Sequence, residues 1–290
     1  MPAPLLFVLS GLTQYLGAAF AVWLFAAVAP PTVAWLRVLV AAVVLVAWRR
    51  PGRTPGEWTR RTLRTTALFG VVLAGMNVAF YVAIAHLPLG TAVALEFAGP
   101  VAVAAVTGRT WRERAAIAVA AVGVVLLAGV SLDTGPTAAV GLVAIGVAAA
   151  CWAGYILLGR RVATSQVGGL TGLSVAMAAG AVVFAPFLAA GAGPVLRDWR
   201  LALAVVAVGV LSSVVPYAIE QVVLRRVSAA TFSVLLALLP VTSAVVGAVV
   251  LRQVPHGLEV VGLLLVSGAI ALTARSTPQD ARDTEAPPPA

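Results

Sequence analysis

Apolar stretches of about 20 residues recur from one end of the sequence to the other, and each is long enough to cross a bilayer as an α-helix. Of the 290 residues, 61% are apolar and 10% are charged. A typical soluble domain carries about 25% charged residues, because it must cover its surface with polar groups. The sequence therefore predicts a membrane protein that crosses the bilayer many times.

Proline and glycine breaks between the apolar runs divide the chain into ten predicted spans. The spans are residues 5–28, 32–48, 65–85, 89–107, 115–130, 137–159, 168–190, 201–224, 229–251 and 257–274. Residues 276–290 form a polar tail that ends in prolines, and this composition predicts a disordered cytoplasmic segment. The predicted fold class is an all-α polytopic membrane protein.

Arginine supplies all 19 basic residues, and most of them lie in connections on one side of the predicted membrane. Fifteen arginines fall on that side, three fall on the opposite side, and Arg37 lies within a span. Because basic residues concentrate in cytoplasmic connections, this distribution predicts that both termini lie in the cytoplasm. The same distribution accounts for the net charge of +9 without a nucleic-acid partner.

A faint repeat with an offset of 140 residues relates the two halves of the chain. The matched pairs are Tyr15 with Tyr155, Thr91 with Thr231, and Pro100 with Pro240. Five spans per half would insert the second half upside down relative to the first, as in many secondary transporters. The sequence therefore predicts two inverted five-helix repeats, residues 1–134 and 135–275, with a substrate site between them.

Three ionisable residues stand out inside the predicted spans, where a central charge costs about 2.5 to 3.5 kcal/mol. They are Arg37, Glu96 and Glu220. Glu96 lies deep in its span, so its carboxyl requires a proton, a cationic ligand or a hydrogen bond to a neighbouring helix. Glu96 and Glu220 are candidates for proton coupling, although Glu220 could instead pair with Arg225. Arg37 is a candidate either for substrate contact or for anchoring at the membrane surface.

Polar and aromatic residues share the faces of other spans, because they are spaced three or four residues apart. The pairs are Asn77 with Tyr81, Trp152 with Tyr155, and Tyr217 with Glu220. Facing inward, they would line a cavity suited to a small zwitterion or an aromatic solute. The alternative is hydrogen bonding between helices and an aromatic belt at the membrane surface. Pro100 and Pro240 lack a backbone N–H and predict helix breaks beside this cavity.

Several of these residues lie in segments that resemble a known transporter family. Residues 75–100, which include Asn77, Tyr81 and the string VALEFAGP, resemble the third and fourth helices of bacterial threonine and homoserine exporters. Those exporters belong to the EamA branch of the drug/metabolite transporter superfamily. Residues 34–37, 150–157 and 216–220 resemble their second, sixth and eighth helices.

This resemblance implies ten helices in two inverted repeats, a central cavity, and efflux of small metabolites from the cytoplasm. It also implies that Gln14, in the first helix, belongs to the substrate site. The chain departs from the family at two places. Relatives place a Glu before the proline of the ninth helix, where this chain has Leu239-Pro240, and a Gly-Glu after that helix, where it has Arg252-Gln253.

Together with the resemblance, these observations predict a bacterial inner-membrane exporter of small amino acids or related metabolites of the threonine or homoserine type. It would work by alternating access, with proton coupling left open. The alternatives are efflux of aromatic amino acids or cationic drugs, a passive facilitator, and a structural subunit. The candidate substrate-binding residues are Gln14, Arg37, Asn77, Tyr81, Glu96, Trp152, Tyr155 and Tyr217. The predicted partners are the lipid bilayer, a small-molecule substrate and, for a coupled mechanism, protons. Because the sequence carries no P-loop, His-Glu-x-x-His or Gly-x-Ser-x-Gly motif, no enzyme activity, cofactor or metal is predicted.

Overall fold

The computed structural model describes residues 3–53, 58–107, 111–132, 137–163, 165–167, 169–216, 219 and 238–274. Its described part is helical and contains no β-strand, so the predicted all-α class is confirmed. The helices are α1 (Ala3–Leu24), α2 (Pro30–Arg49), α3 (Arg60–Ile84), α4 (Leu89–Glu96), α5 (Ala98–Thr107), α6 (Trp111–Leu132), α7 (Ala138–Ala163), α8 (Gly169–Leu188), α9 (Gly193–Arg197), α10 (Trp199–Gly209), α11 (Leu238–Leu251) and α12 (Leu258–Ala274).

Five helical segments of the described chain are long and apolar enough to cross a membrane. They are Leu5–Leu24, Pro30–Arg53, Arg60–Ile84, Ala138–Gly159 and Gly169–Arg197. The other apolar helical segments are 10–17 residues long and are Leu89–Val103, Arg114–Val130, Trp199–Val214, Leu238–Val250 and Leu258–Leu272. The predicted multi-pass character is thus supported by five long spans.

The outer surface of the bundle is apolar, as a lipid-facing surface must be. Strongly exposed valines lie on four different helices and are Val125, Val143, Val182 and Val249. Exposed tryptophans lie close to helix ends and are Trp23, Trp48, Trp111 and Trp199. Because tryptophan is enriched where the hydrocarbon core meets the headgroups, these positions are typical of the two edges of a membrane-embedded band.

Small residues allow helix backbones to approach closely at several crossings. A Cβ atom on Gly70 in α3 would overlap the carbonyl group of Ala176 in α8. A Cβ atom on Gly90 in α4 would lie 2.8 Å from the Cα atom of Ala244 in α11. Close packing of this kind drives helix association in lipid, where the hydrophobic effect between helices is lost. These crossings fix α3 against α8 and α4 against α11.

The helices pack in pairs that have counterparts in the two halves of the chain. α2 packs against α8, α4 against α11, and α6 against α12. α3 packs against both α7 and α8, and α10 in the second half packs against both α1 and α2. Similarly, α5 packs against α7 and α11 packs against α1. In chain order, α1, α2, α3 and α6 correspond to α7, α8, α10 and α12, and α4 with α5 corresponds to α11. When corresponding helices are exchanged, each of these packed pairs becomes a pair that is also observed.

Two irregular turns interrupt helices near the centre of the bundle. α4 ends at Glu96 and α5 begins at Ala98, where Pro100 has no N–H to donate to the Glu96 carbonyl. Residues 210–214 form a π-helical turn directly after α10, a feature often found at functional sites. Pro240 is the third residue of α11, and the chain before Leu238, where its predicted break would fall, lies outside the described residues.

Candidate functional site

Arg37 is a buried cation that joins α2 to the second half of the chain. Its side chain exposes 6% of its surface. Its Nε donates a hydrogen bond to Ser213 Oγ at 2.8 Å, and its Nη2 donates to the Ser212 carbonyl oxygen at 2.9 Å. Both serines belong to the π-helical turn, which therefore presents one hydroxyl and one carbonyl to the guanidinium. The side chain therefore points into the bundle, where it contacts the second half of the chain.

Tyr81 in α3 packs directly against this guanidinium. Arg37 Cζ lies 5.3 Å from the centroid of the Tyr81 ring, which is within the range of a cation–π interaction. The ring is completely buried and meets the Phe25 ring edge-on at a centroid distance of 5.9 Å. Its hydroxyl is also buried, and no described residue forms a hydrogen bond with it. An unsatisfied buried hydroxyl costs about 1–3 kcal/mol, so it is a candidate donor to a bound molecule.

Glu96 lies at the end of α4, where the helix is interrupted. Its carboxylate interacts electrostatically with Arg37 of α2 and with the Cys151 thiol of α7. The Glu96 side chain itself is partly buried within the bundle. Arg37 and Glu96 therefore place opposite charges in one interior region of the bundle.

The two aromatic candidates of α7 occupy different surroundings. The Trp152 ring meets the Phe97 ring edge-on with centroids 4.6 Å apart, which places Trp152 beside the turn that follows Glu96. The Tyr155 ring lies 5.1 Å from the Phe69 ring of α3 and packs at the edge of the core formed by α2, α3 and α8. The structure thus brings Trp152 to the Glu96 region and Tyr155 to a neighbouring cluster.

The remaining predicted residues are not joined to Arg37 or Glu96 by a described contact. Asn77 is buried, and its Nδ2 donates to the Leu73 carbonyl oxygen at 2.8 Å within α3. This bond is the ordinary structural use of a polar residue inside a membrane helix. Gln14 is partly exposed on α1. Tyr217 and Glu220 lie outside the described residues.

Glu259 in the first turn of α12 is a buried acid that was not among the predicted site residues. Its Oε2 accepts a hydrogen bond from the His256 N–H at 3.1 Å, and its Oε1 accepts one from the Thr91 hydroxyl at 3.4 Å. The first bond is half of a capping box, since Glu259 follows His256 by three residues at the start of a helix. That spacing is the sequence signal that could have identified it. The second bond ties α12 to α4.

Gln253 makes a second connection between the same ends of the two halves. Its Oε1 accepts a hydrogen bond from the Leu89 N–H at 2.9 Å and so caps the start of α4. The preceding Arg252 has a φ angle of 57°, a left-handed conformation that glycine adopts most easily. This geometry explains the glycine of the family pattern, and Gln253 retains the side-chain oxygen that a glutamate would supply. A pocket of about 280 Å³ lies here, lined in part by Thr91, Gln253 and Glu259.

Residues 139–275 match a sequence model described as the EamA-like transporter family. The chain is 34% identical over 272 residues to the threonine/homoserine exporter RhtA of Salmonella typhimurium strain LT2, covering 91% of this chain and 89% of that protein. It is 33% identical over 261 residues to RhtA of Escherichia coli strain K12, covering 90% and 86%. A solved crystal structure that is 20% identical aligns with a TM-score of 0.58 over 93% of this chain and 99% of the other, which supports the fold alone.

Proposed function

We propose that this chain, which belongs to the EamA-like transporter family, exports small amino acids of the threonine or homoserine type across the bacterial inner membrane. The relatives named as threonine/homoserine exporters align over about nine tenths of the chain, which favours the same class of substrate. The observation that carries the proposal is the placement of Arg37 and Glu96 in one interior region. Groups of opposite charge at such a depth are expensive and mark substrate pathways.

The charges at this site are complementary to an α-amino acid. A zwitterion would place its carboxylate near the Arg37 guanidinium, which forms strong charge-assisted hydrogen bonds with carboxylates. Its ammonium group would lie near Glu96. The Tyr81 hydroxyl, which has no hydrogen-bond partner among the described residues, is available to a polar substrate side chain, while the Phe97 and Trp152 rings offer an apolar wall. A substrate with a small hydroxylated side chain satisfies all three features.

We infer that the architecture is ten membrane helices in two inverted repeats, residues 1–134 and 135–275. The exchangeable helix pairs support this, because α2 with α8, α4 with α11 and α6 with α12 join equivalent positions of the two halves. The offset of 140 residues between Tyr15 and Tyr155 is consistent with it. Transport would then occur by movement of one half against the other around the central site.

The contacts at Gln253 and Glu259 would close one end of this pathway. Leu89 and Thr91 belong to the first half, whereas Gln253 and Glu259 belong to the second, so their hydrogen bonds hold the halves together. This end is opposite the arginine-rich connections, and we assign it to the external face. Export would require these bonds to break when the outer side opens.

The orientation predicts which positions a membrane-impermeant thiol reagent can reach. In a Cys151→Ala background, Arg53→Cys should react only from the cytoplasmic side, and Pro194→Cys should react only from outside. Both positions are exposed, so reactivity reports sidedness and not burial. Labelling of intact cells and of inverted vesicles provides the measurement. Reaction of the Pro194→Cys variant from the cytoplasmic side alone would contradict the proposed topology.

Uptake into inside-out membrane vesicles tests the transport function, because export from the cytoplasm becomes accumulation in the lumen. Vesicles with an acidic lumen should accumulate threonine and homoserine, and collapse of the proton gradient should reduce this accumulation. Vesicles from cells without the chain are the control. Accumulation of aromatic amino acids or cationic drugs in preference to threonine would favour the broader efflux function. Equilibration without accumulation would identify a passive facilitator, and no transport of any compound would favour a structural subunit.

A further inference from the structure

A separate pocket of about 460 Å³ lies at the arginine-rich end of the bundle, away from Arg37 and Glu96. The first two turns of α3 form one wall, and the end of α7 with the residue Ser165 forms the other. Arg61 lines it from α3 and Arg161 lines it from α7. Both arginines are exposed, and no acidic residue is found among the described residues that line the pocket. The pocket therefore concentrates positive charge where a ligand can enter from the aqueous side.

The hydroxyl groups that line this pocket differ in whether they already form a hydrogen bond. Thr65 Oγ1 donates to the Arg61 carbonyl oxygen at 3.0 Å, and Ser165 Oγ donates to the Val162 carbonyl oxygen at 2.7 Å. Thr62 Oγ1 lies 2.9 Å from Thr59 Oγ1. These contacts are the usual ones for hydroxyls that can reach backbone or a capping residue. The protons of Thr65 and Ser165 are thus already donated to backbone carbonyls, and the Thr62 hydroxyl is paired with that of Thr59.

Thr66 is the exception among these hydroxyls. Its side chain is completely buried, and its Oγ1 has no hydrogen-bond partner among the described residues. Its neighbour Thr65 uses the carbonyl four residues earlier in α3, whereas Thr66 does not. A buried hydroxyl without an acceptor costs about 1–3 kcal/mol, and an anionic oxygen that enters the pocket would remove that cost. Thr66 thus lines a cationic pocket with a hydroxyl that has no hydrogen-bond partner in the described part of the chain.

We propose that this pocket binds a phosphate group, held by the guanidinium groups of Arg61 and Arg161 and by the hydroxyl of Thr66. Guanidinium groups form short, charge-assisted bonds with phosphate oxygens. The N-terminus of α3 adds favourable potential for an anion, while the C-terminal end of α7 opposes it in part. Ser165 occupies the Val162 carbonyl at that end and so lessens this opposition.

The phosphate could belong to an anionic lipid headgroup or to a soluble phosphate. The pocket lies at the end of the bundle that carries most of the arginines, where basic pockets between membrane helices bind anionic headgroups. It also joins α3 to α7, which pack against each other along the core. A bound phosphate would therefore tie together the ends of two neighbouring helices at this face of the bundle. This inference does not depend on which substrate the central site transports.

Binding to the purified full chain in detergent tests this proposal, with thermal unfolding and native mass spectrometry as readouts. The probes are phosphatidylglycerol, diacylglycerol, which has the same chains without phosphate, and inorganic phosphate. Phosphatidylglycerol should raise the unfolding temperature and remain bound in the gas phase, whereas diacylglycerol should do neither. Stabilisation by inorganic phosphate alone would assign the pocket to a soluble anion. The proposal is overturned if none of the three probes stabilises the wild-type chain.

Matched variants locate the binding within the pocket. Thr66→Val keeps the shape of the side chain and removes only the hydroxyl, and the double variant Arg61→Gln with Arg161→Gln removes both charges. The double variant should weaken binding of the effective probe at least about tenfold, and Thr66→Val should weaken it by a smaller factor. Arg53→Gln removes one charge from the same end of the bundle outside this pocket, so its affinity should match the wild type. Equal loss in Arg53→Gln and in the double variant would show a diffuse charge effect and contradict the proposal.

Discussion

Replacement of Glu96 by glutamine is expected to reduce transport at least about tenfold, which corresponds to about 1.4 kcal/mol of lost interaction. Glutamine preserves the shape of the side chain and its hydrogen-bonding capacity but cannot carry the charge that binds an ammonium group or exchange a proton. Glu96→Asp keeps the charge on a side chain shorter by one methylene group and should retain part of the activity. Initial rates of threonine uptake into inside-out vesicles, measured with and without an acidic lumen, provide the comparison.

The control for this prediction is Asp198→Asn, which removes an exposed carboxylate from the cap of α10. Asparagine is also a good capping residue, so this variant should transport at the wild-type rate. Gel filtration of each purified variant establishes that it is folded. If the Glu96→Gln protein transported at the wild-type rate with unchanged pH dependence, Glu96 would have a packing role only. The coupling group would then be sought at Glu220.

The sequence predicts the helical class because long apolar runs recur throughout the chain. An unbroken apolar run of about 20 residues forms its backbone hydrogen bonds within the bilayer as a helix. The sequence also singles out Arg37, Tyr81 and Glu96 as candidate site residues, because charge and polarity inside an apolar span are costly wherever the span packs. Their spacing within each span does not reveal their partners. That information depends on how distant helices cross.

The partners of Arg37 show this limit most clearly. Ser212 and Ser213 lie 175 and 176 positions away in the chain, and they meet the guanidinium because a π-helical turn follows α10. No local pattern distinguishes these serines from others in apolar spans. Thr66 is similar, since a threonine in the second turn of a helix ordinarily bonds to its own backbone. Only the three-dimensional structure shows that Thr66 has no hydrogen-bond partner among the described residues.

At position 239 this chain has a leucine where the family pattern has a glutamate, and this difference changes how the helices pack. Leu239 is buried, and its side chain lies at a close crossing with α1, where a Cβ atom on Gly11 would stand 3.1 Å from Leu239 Cδ2. An acid at this position would have to be paired or protonated inside the bundle. The leucine instead forms an apolar contact between the halves. Among the described residues of the core, Glu96 is then the carboxyl group that interacts electrostatically with Arg37.

Replacement of Arg37 by lysine is expected to reduce transport at least about tenfold while the protein still inserts and folds. Lysine keeps the positive charge, but a single ammonium group cannot reproduce the fork that donates to Ser213 Oγ and to the Ser212 carbonyl. Ser213→Ala removes one of those acceptors and leaves the guanidinium intact, so it should cost about 1 kcal/mol of stability and a smaller part of the activity. Thermal unfolding of the purified variants separates the loss of stability from the loss of transport.

A carboxylate-free analogue distinguishes substrate contact from a purely structural role of Arg37. The wild-type chain should transport threonine much better than the corresponding amino alcohol, because the alcohol has no carboxylate to meet the guanidinium. In Arg37→Gln the two compounds should be transported at similar low rates, since the group that discriminates between them is absent. A variant that is less stable but keeps the full preference for threonine would show that Arg37 acts only by holding α2 against the π-helical turn. In that case the carboxylate would bind elsewhere in the cavity, and the complementary pair with Glu96 would no longer explain the choice of substrate.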